Sequence, residues 1–474
     1  WLKPNMETLQ RTANSGSAST GPAYEIDNSI KFETANTESL TKSQTASNRR
    51  TWTVSFWFKK TKVDSALQYI FESGINSSTL LSLFVNGITD WRIYEYVSGS
   101  RNLAFYSTSP LRDSAAWYHI VIACDTTQST AADRFKIYLN GVDLTAVSGY
   151  FSTAAFPAEN YETQINNSAS TLSIGKAPTA STNFCGYISE FNFIDGLMKD
   201  AEDFGEYDSN GIWRPIEYEG SYGNQGYFLN FADAGDLGDD ESGNGKDFTE
   251  NNIAAIDQAT DTPTNNFATL NPLQRFSATA SNNPILTEGA TVHTSTLDDY
   301  WQTSIATIGV TSGKWYFEAK ILDDNTPLVM VGVGDEGDIP TWGWGNGYLG
   351  AGKSVSYSSG SSAYTDSNVI GMAVDVDNGK VYWAKDNTYI NSGNPAGNAN
   401  GTALPTGGVS NGTYFIGVSG YKDDAAVLQV NFGGYHANSL SSAASDANGY
   451  GTFEFAPPSG FYSLCTKNLA EFGG

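Results

Sequence analysis

Residues 369–383 read Val-Ile-Gly-Met-Ala-Val-Asp-Val-Asp-Asn-Gly-Lys-Val-Tyr-Trp. Large apolar side chains in this stretch alternate with small or acidic ones, which is the pattern of a β-strand with one buried face. Asn378-Gly379 then favours a two-residue type I′ turn, and Val381 and Trp383 resume the alternation. The stretch therefore predicts a β-hairpin, and this hairpin sets the fold class.

A second hairpin of the same kind lies far upstream. Phe135, Ile137 and Leu139 alternate with other residues, and Asn140-Gly141 again supplies the turn. A hairpin with one apolar face needs a facing sheet, because two strands alone are marginally stable in water. The two hairpins therefore predict two separate β-units.

Length and composition fit this interpretation. The chain has 474 residues, too many for one hydrophobic core, and it contains 48 glycines and 13% aromatic residues. We predict an all-β fold of two tandem antiparallel β-sandwiches. The predicted parts are a polar N-terminal tail at 1–23, a first sandwich at 24–200, an acidic and aromatic bridge at 201–272, and a second sandwich at 273–474 with a C-terminal strand.

The charge balance argues against two classes of partner. Acidic residues outnumber Lys and Arg by 51 to 26, which gives a formal net charge of −25. A surface of this sign repels nucleic acid and anionic lipid, so we expect neither as a partner. No apolar run approaches the roughly 20 residues that span a bilayer, so we expect no membrane insertion. The chain starts at Trp1 without Met, and we expect a missing or processed N-terminus.

Successive segments of the first predicted sandwich resemble a known family. They are TWTVSFWFKK (51–60), WYHIVIACD (117–125), FKIYLNGVDL (135–144) and FCGYISEFNFIDG (184–196). In this order they resemble the strands of a laminin-G/concanavalin-A-like jelly roll, and the resemblance covers about 24–200. It implies a two-sheet sandwich but leaves the ligand open, because this fold hosts lectins, adhesins and glycosidases.

The second predicted sandwich resembles another family. SGKWYFEAKIL (312–322), VIGMAVDVDNGKVYWAKDN (369–387) and VLQVNFGG (427–434) follow one another as in a SPRY domain. The resemblance covers about 300–436. It implies a bent two-sheet sandwich that binds partners through its loops and carries no catalytic role.

The bridge is rich in acidic and aromatic residues. Its aromatic residues are too many for a free linker, so we expect it to pack on the first sandwich or between the two. The sequence from GYISEFNFIDG (186–196) to DTPTNNFATLNP (261–272) resembles segments of structural proteins of marine tailed phages. This resemblance implies a virion protein.

Acidic residues of the bridge form a candidate calcium site. Asp236, Asp239, Asp240 and Asp247 are interleaved with Gly and Asn, and Ca²⁺ takes six to eight oxygen ligands from such loops. The same composition is about as typical of a solvated loop with Asx turns. The two alternatives are therefore a calcium site and a metal-free loop, and calcium is the only cofactor that we consider.

A glycine-rich loop of the second sandwich is the candidate ligand-binding site. Trp342 and Tyr348 offer rings that stack on sugars or on apolar partner surfaces. Asp335 and Asp338 could accept hydroxyl hydrogen bonds or hold calcium. The alternative is that the rings pack inside the domain.

A strand of the first sandwich carries a second group of aromatic residues. Tyr94 and Tyr96 share one face of this strand with Arg92, whereas Trp91 lies on the other face. The alternation leaves open which of the two faces is interior.

A glycoside hydrolase is the enzymatic alternative. It needs two carboxylates that flank the scissile bond, and laminarinase-type jelly rolls carry them alternately on one strand. In the comparable strand, Glu190 is followed by Phe191, Asn192 and Phe193, so the pair is absent. We therefore expect no enzymatic activity.

These observations favour a structural and adhesive protein of a virion. We expect a phage fibre, spike or capsid decoration at the virion surface that binds a host-surface glycan or protein. Its other expected partners are virion proteins and further copies of itself in a homo-oligomer. The alternative is a secreted or cell-surface carbohydrate-binding protein of a marine bacterium.

Overall fold

The chain divides into two compact units between Thr264 and Asn265, and each has its own hydrophobic core. We call residues 24–264 the first unit and residues 265–473 the second unit. The computed structural model describes residues 24–179, 182–277, 283–296, 301–323, 328–335, 348–352, 366–404, 412–421 and 426–473.

Two eight-stranded antiparallel sheets form the first unit. Its strands are β1 (Ser29–Phe32), β2 (Ser39–Ser43), β3 (Thr51–Lys60), β4 (Leu67–Asn76), β5 (Thr79–Asn86), β6 (Asp90–Val97), β7 (Ser100–Ser107), β8 (Trp117–Asp125), β9 (Phe135–Leu139), β10 (Val142–Asp143), β11 (Phe151–Ala155), β12 (Thr171–Ile174), β13 (Gly186–Asp195), β14 (Gly205–Tyr207), β15 (Trp213–Pro215), β16 (Tyr227–Leu229), β17 (Thr249–Asn251) and β18 (Gln258–Ala259). Short 3₁₀ turns lie at Ala131–Asp133, Leu144–Ala146, Ala201–Asp203 and Ala255–Asp257.

Strand order defines the two sheets. Sheet A has the order β10-β9-β8-β3-β13-β1-β18, with β16 paired to β13. Sheet B has the order β11-β7-β6-β5-β4-β12-β2-β17, and β14 and β15 form a separate hairpin. The predicted all-β sandwich is therefore confirmed for this unit.

The core of the first unit lies between sheets A and B. Trp91 and Ile93 of β6 belong to it, and both are at most 1% exposed. Because side chains alternate along a strand, Arg92, Tyr94 and Tyr96 lie on the outer face of sheet B. The structure thereby decides which of the two faces is interior.

The turn between β9 and β10 is the predicted type I′ turn. Leu139 pairs directly with Val142, and the φ angles of Asn140 and Gly141 are 47° and 80°. Gly141 also lies against the indole ring of Trp213, because a Cβ atom at this position would be 2.5 Å from two of its ring carbons. Glycine is therefore required here both by conformation and by packing.

The predicted bridge packs on the first sandwich over 201–264. Phe204 and Trp213 cover the outer face of sheet A, where they contact a cluster that includes Val121. Tyr227 and Phe248 instead enter the main core. Side chains of this part of the bridge therefore contribute both to the main core and to the outer face of sheet A.

Buried lysines tie the last residues of the first unit to sheet A. Lys31 Nζ lies 2.8 Å from carboxylate oxygens of both Glu38 and Asp257. Lys59 Nζ lies 2.7 Å from Asp261 Oδ2, and both side chains are at most 1% exposed. An unpaired buried charge is costly, so these lysines require the segment that contains Asp257 and Asp261.

Two further sheets form the second unit. Its elements are β19 (Leu270–Ser277), β20 (Ile285–Thr287), β21 (Val292–Thr294), β22 (Trp301–Ala306), β23 (Lys314–Asp323), β24 (Leu328–Asp335), β25 (Tyr348–Gly352), β26 (Val369–Asp375), β27 (Lys380–Lys385), β28 (Thr388–Tyr389), a 3₁₀ turn at Ile390–Ser392, β29 (Thr402–Ala403), β30 (Tyr414–Tyr421), β31 (Val427–Asn431), β32 (Tyr462–Ser463) and helix α1 (Thr466–Phe472). Within the described residues, no helix is both long enough and apolar enough to cross a membrane.

The second unit is also a sandwich, as predicted. Sheet C has the order β19-β22-β30-β24-β25, and sheet D has the order β20-β21-β31-β23-β26-β27-β28. The short strand β29 pairs with β27, and β32 adds to β23 in parallel. Ile370, Met372 and Val374 of β26 enter the core together with Val381 and Trp383, which confirms the predicted alternation.

The turn at Asn378-Gly379 differs from the prediction. Asp375 pairs with Lys380, so the connection has four residues instead of two, and of these four only Gly379 has a positive φ, at 62°. The Asp375 carboxylate accepts hydrogen bonds from the backbone N–H and the side-chain amide of Asn378. The prediction of a type I′ turn here is therefore wrong, because this side-chain cap stabilises a wider loop.

Candidate functional site

The outer face of sheet B presents side chains from neighbouring strands in rows. Residues that pair directly across antiparallel strands share one face of a sheet. The rows at the β5–β6–β7 end of this face are Phe84–Arg92–Tyr106, Ser82–Tyr94–Ala104 and Leu80–Tyr96–Arg101.

Three tyrosines and two arginines within these rows form what we call the aromatic patch: Arg92, Tyr94, Tyr96, Arg101 and Tyr106. The rings of Tyr94 and Tyr96 meet edge to face, with centroids 5.0 Å apart. The guanidinium carbon of Arg92 lies 4.5 Å from the centroid of the Tyr106 ring, and that of Arg101 lies 5.7 Å from it. Arg101 Nη1 also donates a hydrogen bond to Tyr106 Oη at 3.2 Å.

Buried groups beneath the patch hold it in place. The Tyr94 ring meets the buried Phe84 ring edge to face at 5.2 Å, and Phe84 stacks on Tyr69 at 5.0 Å. Arg92 Nε is fixed by Asp90 Oδ2 at 2.7 Å. Burial raises the pKa of Tyr94, and a hydrogen bond with Tyr69 adds to the shift. Ordered rings bind a ligand with a small loss of conformational entropy.

A polar groove of about 540 Å³ lies toward the other end of sheet B, at β12, β2 and β17. Strand β4 lies between the groove and the aromatic patch in the sheet order. Thr179 Oγ1 donates a hydrogen bond to Glu72 Oε1 of β4 at 2.6 Å, so the segment after β12 crosses this part of the face. The residues that line the groove are Thr37, Ser39, Thr41, Ser173, Lys176, Pro178, Glu250, Asn251 and Asn252. Sequence analysis missed this groove because its residues come from three separate segments.

The predicted site in the second unit lies largely outside the described residues. Trp342 and Asp338 are not among them, and only the backbone is described for Asp335 and Tyr348. Asp335 ends β24 and Tyr348 begins β25, and these strands are neighbours in sheet C. The sheet therefore brings these two positions together, and binding at this loop stays a prediction.

Most hydrogen bonds in the predicted calcium cluster run from backbone N–H groups to carboxylates. Asp240 is buried and accepts bonds from Phe228 N, Ser242 N and Lys246 N at 2.8–2.9 Å. In the described part of the chain, no group of three or more His, Cys, Asp or Glu residues could hold a metal ion. The arrangement of Asp236, Asp239, Asp240 and Asp247 thus favours the loop with Asx turns, although calcium binding itself stays a prediction.

Asp236 and Asp247 make the same kind of contact in this loop. Asp236 Oδ1 accepts a hydrogen bond from Gly238 N at 3.2 Å, and Asp247 Oδ1 accepts one from Asp240 N at 3.2 Å. The bond to Asp236 spans two residues and is that of an Asx turn, whereas the bond to Asp247 spans seven residues and closes the loop.

Glu190 lies at a β-bulge of β13, with a φ of 51°. Burial raises the pKa of Glu190 to about 7, a hydrogen bond from Tyr24 opposes the shift, and the charge of Glu217 adds to it. Glu217 belongs to the bridge. A search for a second carboxylate within strand β13 alone therefore could not find it. Bulges that redirect a side chain are frequent next to active sites, so the enzymatic alternative needs a direct test.

Comparison with known proteins identifies the first unit at the level of its fold. The laminin G family model described as the concanavalin A-like lectin/glucanases superfamily matches residues 32–202. The first sandwich is therefore similar to concanavalin-A-like domains. None of the curated proteins compared with the chain matches it.

Solved structures with similar architecture come from several sources. Domains LG4-5 of the mouse laminin alpha1 chain are 11% identical, with 92% of this chain and 88% of that chain covered and a TM-score of 0.27. The sialyllactose-bound CBM40 of the Ruminococcus gnavus IT-sialidase is 12% identical, with 38% of this chain and 92% of that chain covered and a TM-score of 0.26. The SPRY domain of human HERC1 is 12% identical, with 34% and 96% covered and a TM-score of 0.23. Similarity at this level carries no information about ligands.

Proposed function

We propose that the protein binds carbohydrate and that the aromatic patch on sheet B holds the sugar. The observation that carries this proposal is the ordered Tyr94–Tyr96 pair on the outer face, supported by the buried Phe84 ring. Arg92 and Arg101 lie beside the pair and supply hydrogen-bond donors. The match of 32–202 to a superfamily of lectins and glucanases supports the same class of ligand.

Sugars suit such a patch for physical reasons. The C–H face of a pyranose is apolar and packs on a tyrosine ring, while its hydroxyl groups need polar partners at the edge of the ring. Tyrosine supplies a large contact area and a polar tip with few rotatable bonds. A patch of this kind therefore binds a sugar by stacking and selects its orientation by hydrogen bonds.

Binding to a glycan array, followed by calorimetric titration of the full-length chain, tests this proposal. Replacing Tyr94 and Tyr96 together by Ala should weaken binding at least about tenfold, since each ring contributes about 0.5–1.5 kcal/mol beyond its area burial. The matched control is Tyr207→Ala, which removes a tyrosine that is 52% exposed and lies beside the β9–β10 turn of sheet A. Unchanged glycan binding by the double variant would contradict the proposal.

We further propose that sugar binding serves attachment of a phage particle to its host, with this chain as a homo-oligomeric fibre, spike or decoration at the virion surface. The likeness of the sequence at 186–272 to marine phage structural proteins supports this role. Mass spectrometry of purified particles should then detect the chain beside other virion proteins. A bacterial carbohydrate-binding protein would instead be found in the culture medium or on the cell surface.

We propose, finally, that the sugar is bound without being cleaved. The position two residues after Glu190 on β13 carries Asn192, so this strand lacks the alternating carboxylates of a laminarinase-type site. A reducing-sugar assay on algal and bacterial polysaccharides should give no product. Product release that is lost on Glu190→Gln or Glu217→Gln would contradict this part of the proposal.

A further inference from the structure

We infer that the polar groove of sheet B is a second subsite, which takes a neutral sugar residue, and that the ligand is an oligosaccharide that reaches from this groove to the aromatic patch. This inference rests on the proposed function. It adds a site, the chemical class of the sugar bound there and a minimum length for the ligand.

Ser173 gives the first indication of a ligand in the groove. Its side chain is buried to 1% exposure, and its Oγ has no hydrogen-bond partner among the described residues. Buried hydroxyl groups in proteins nearly always have a partner, because leaving one unpaired is costly. Ser173 pairs with Thr41 across the sheet, and both residues line the groove. A ligand hydroxyl at this point would supply the missing partner.

Side chains next to Ser173 supply the groove with both hydrogen-bond donors and hydrogen-bond acceptors. Asn251 Nδ2 donates to Thr41 Oγ1 at 2.9 Å and to Ser39 O at 3.2 Å. This contact leaves the Thr41 hydroxyl proton and Asn251 Oδ1 available to a ligand. The Lys176 ammonium group makes no ion pair within the described residues and offers further donors.

This mixture of groups selects a neutral sugar. Each sugar hydroxyl both donates and accepts, so different hydroxyl groups of one sugar can use the Ser173 hydroxyl and the amide oxygen of Asn251. A purely anionic ligand only accepts, so it would leave the amide oxygen of Asn251 without a donor. A purely cationic ligand would face Lys176. A hydroxyl-rich, uncharged residue therefore fits best.

The register of sheet B fixes the distance between the two subsites. Ser173 pairs with Glu72, Glu72 with Ser82 and Ser82 with Tyr94, so one row joins the groove to the aromatic patch. Three strand spacings of about 4.8 Å separate Ser173 from Tyr94 by about 14 Å. A single sugar residue cannot touch both, so the ligand must continue across Thr179, which lies over Glu72.

A length series tests this inference on the full-length chain. The probes are neutral oligosaccharides of glucose, galactose and mannose, from disaccharide to hexasaccharide. Affinity should rise with length until both subsites are filled. Ser173→Ala and Thr41→Val should each weaken hexasaccharide binding about fivefold and leave disaccharide binding on the aromatic patch unchanged. Ser43→Ala, which removes an exposed hydroxyl from the same face of β2 outside the groove, is the matched control.

Thermal stability separates a binding role of Ser173 from a structural one. Because its hydroxyl has no partner, Ser173→Ala should keep or raise the melting temperature of the unliganded protein while it weakens hexasaccharide binding. A lowered melting temperature with unchanged binding would overturn the inference. So would the absence of any length dependence in the parent protein.

The two proposals fail in different ways. If the variants at Tyr94 and Tyr96 lose binding but those at Ser173 and Thr41 keep full affinity for the hexasaccharide, the groove is not a subsite and the proposed function stands. If the variants at all four positions bind the hexasaccharide as tightly as the parent does, both the proposed function and the second subsite are overturned.

Discussion

Glu95 Oε1 accepts a hydrogen bond from the backbone N–H of Gln164 at 2.5 Å, inside the core of the first sandwich. Burial raises the pKa of Glu95 to about 8, although this hydrogen bond opposes the shift. The folded state therefore keeps the Glu95 proton up to a higher pH than the unfolded chain does. The contribution of Glu95 to stability is fully present below the unfolded pKa of about 4.5 and is lost as the pH rises toward 8.

The first prediction is that Glu95→Gln makes stability less dependent on pH. Glutamine keeps an acceptor for Gln164 N and carries no charge. The unfolding free energy of the variant should therefore match that of the parent near pH 5 and exceed it at pH 8. Between these values the parent should lose up to about 1.4 kcal/mol of unfolding free energy per pH unit through this residue. Denaturant titrations of the full-length chain across this range measure the difference.

A matched control for this experiment is Glu162→Gln. The Glu162 side chain is 51% exposed and contacts Arg49 and Arg50 at the surface, so its removal should leave the pH dependence close to that of the parent. Equal pH dependence in the parent and Glu95→Gln would show that the buried carboxyl does not govern stability.

Local sequence patterns predicted much of the fold, but they could not decide which side of a strand faces inward. The alternation of Trp91 with Arg92 is the same whichever face is buried. The decision comes from the opposite sheet, which packs against Trp91 and Ile93 and leaves Tyr94 outside. Such long-range pairing has no local signal, and for this reason the aromatic patch remained one of two possibilities until the fold was known.

The second prediction concerns the buried ion pair between Lys59 and Asp261. Asp261 Oδ1 also accepts a hydrogen bond from the indole N–H of Trp117 at 3.0 Å. Asp261→Ala would leave the Lys59 ammonium buried without this partner, so we expect a loss of about 3–5 kcal/mol in the unfolding free energy. Calorimetric melting of the full-length chain should show the destabilisation in the transition of the first unit.

The exposed pair between Lys62 and Asp64 provides the comparison for the second prediction. Its side chains are 36% and 38% exposed, so Asp64→Ala should change stability by less than about 1 kcal/mol. Similar effects of Asp64→Ala and Asp261→Ala would contradict the role assigned to the buried pair.

The third prediction separates the two interpretations of the acidic loop. Asp240→Ala removes the acceptor of three backbone N–H groups and should lower the unfolding free energy by about 1–3 kcal/mol in the presence or absence of a chelator. Asp239→Ala is the control, since no hydrogen bond to its carboxylate is described. A melting temperature that falls on chelation and recovers with Ca²⁺ would instead support the calcium alternative.

The two Asn-Gly turns show how far a local motif predicts structure. At Asn140-Gly141 the motif alone predicted the turn, and the two-residue connection agrees with it. At Asn378-Gly379 the same letters lie in a four-residue loop, because the preceding Asp375 caps Asn378. The difference lies in a side chain outside the motif, so the motif fixes the place of a turn better than its type.

The last prediction tests the contact between the Asn140-Gly141 turn and the bridge. Gly141 and Gly149 both have positive φ, at 80° and 77°, so replacement by Ala should cost each about 1–2 kcal/mol in backbone strain. A Cβ atom at Gly149 has nothing within 4 Å, whereas at Gly141 it would overlap the Trp213 ring. Gly141→Ala should therefore cost about 1–3 kcal/mol more than Gly149→Ala. The measurement is the unfolding free energy of both variants. Adding Trp213→Ala to each should remove the difference between them, and a difference that survives this change would show that the bridge does not constrain the turn.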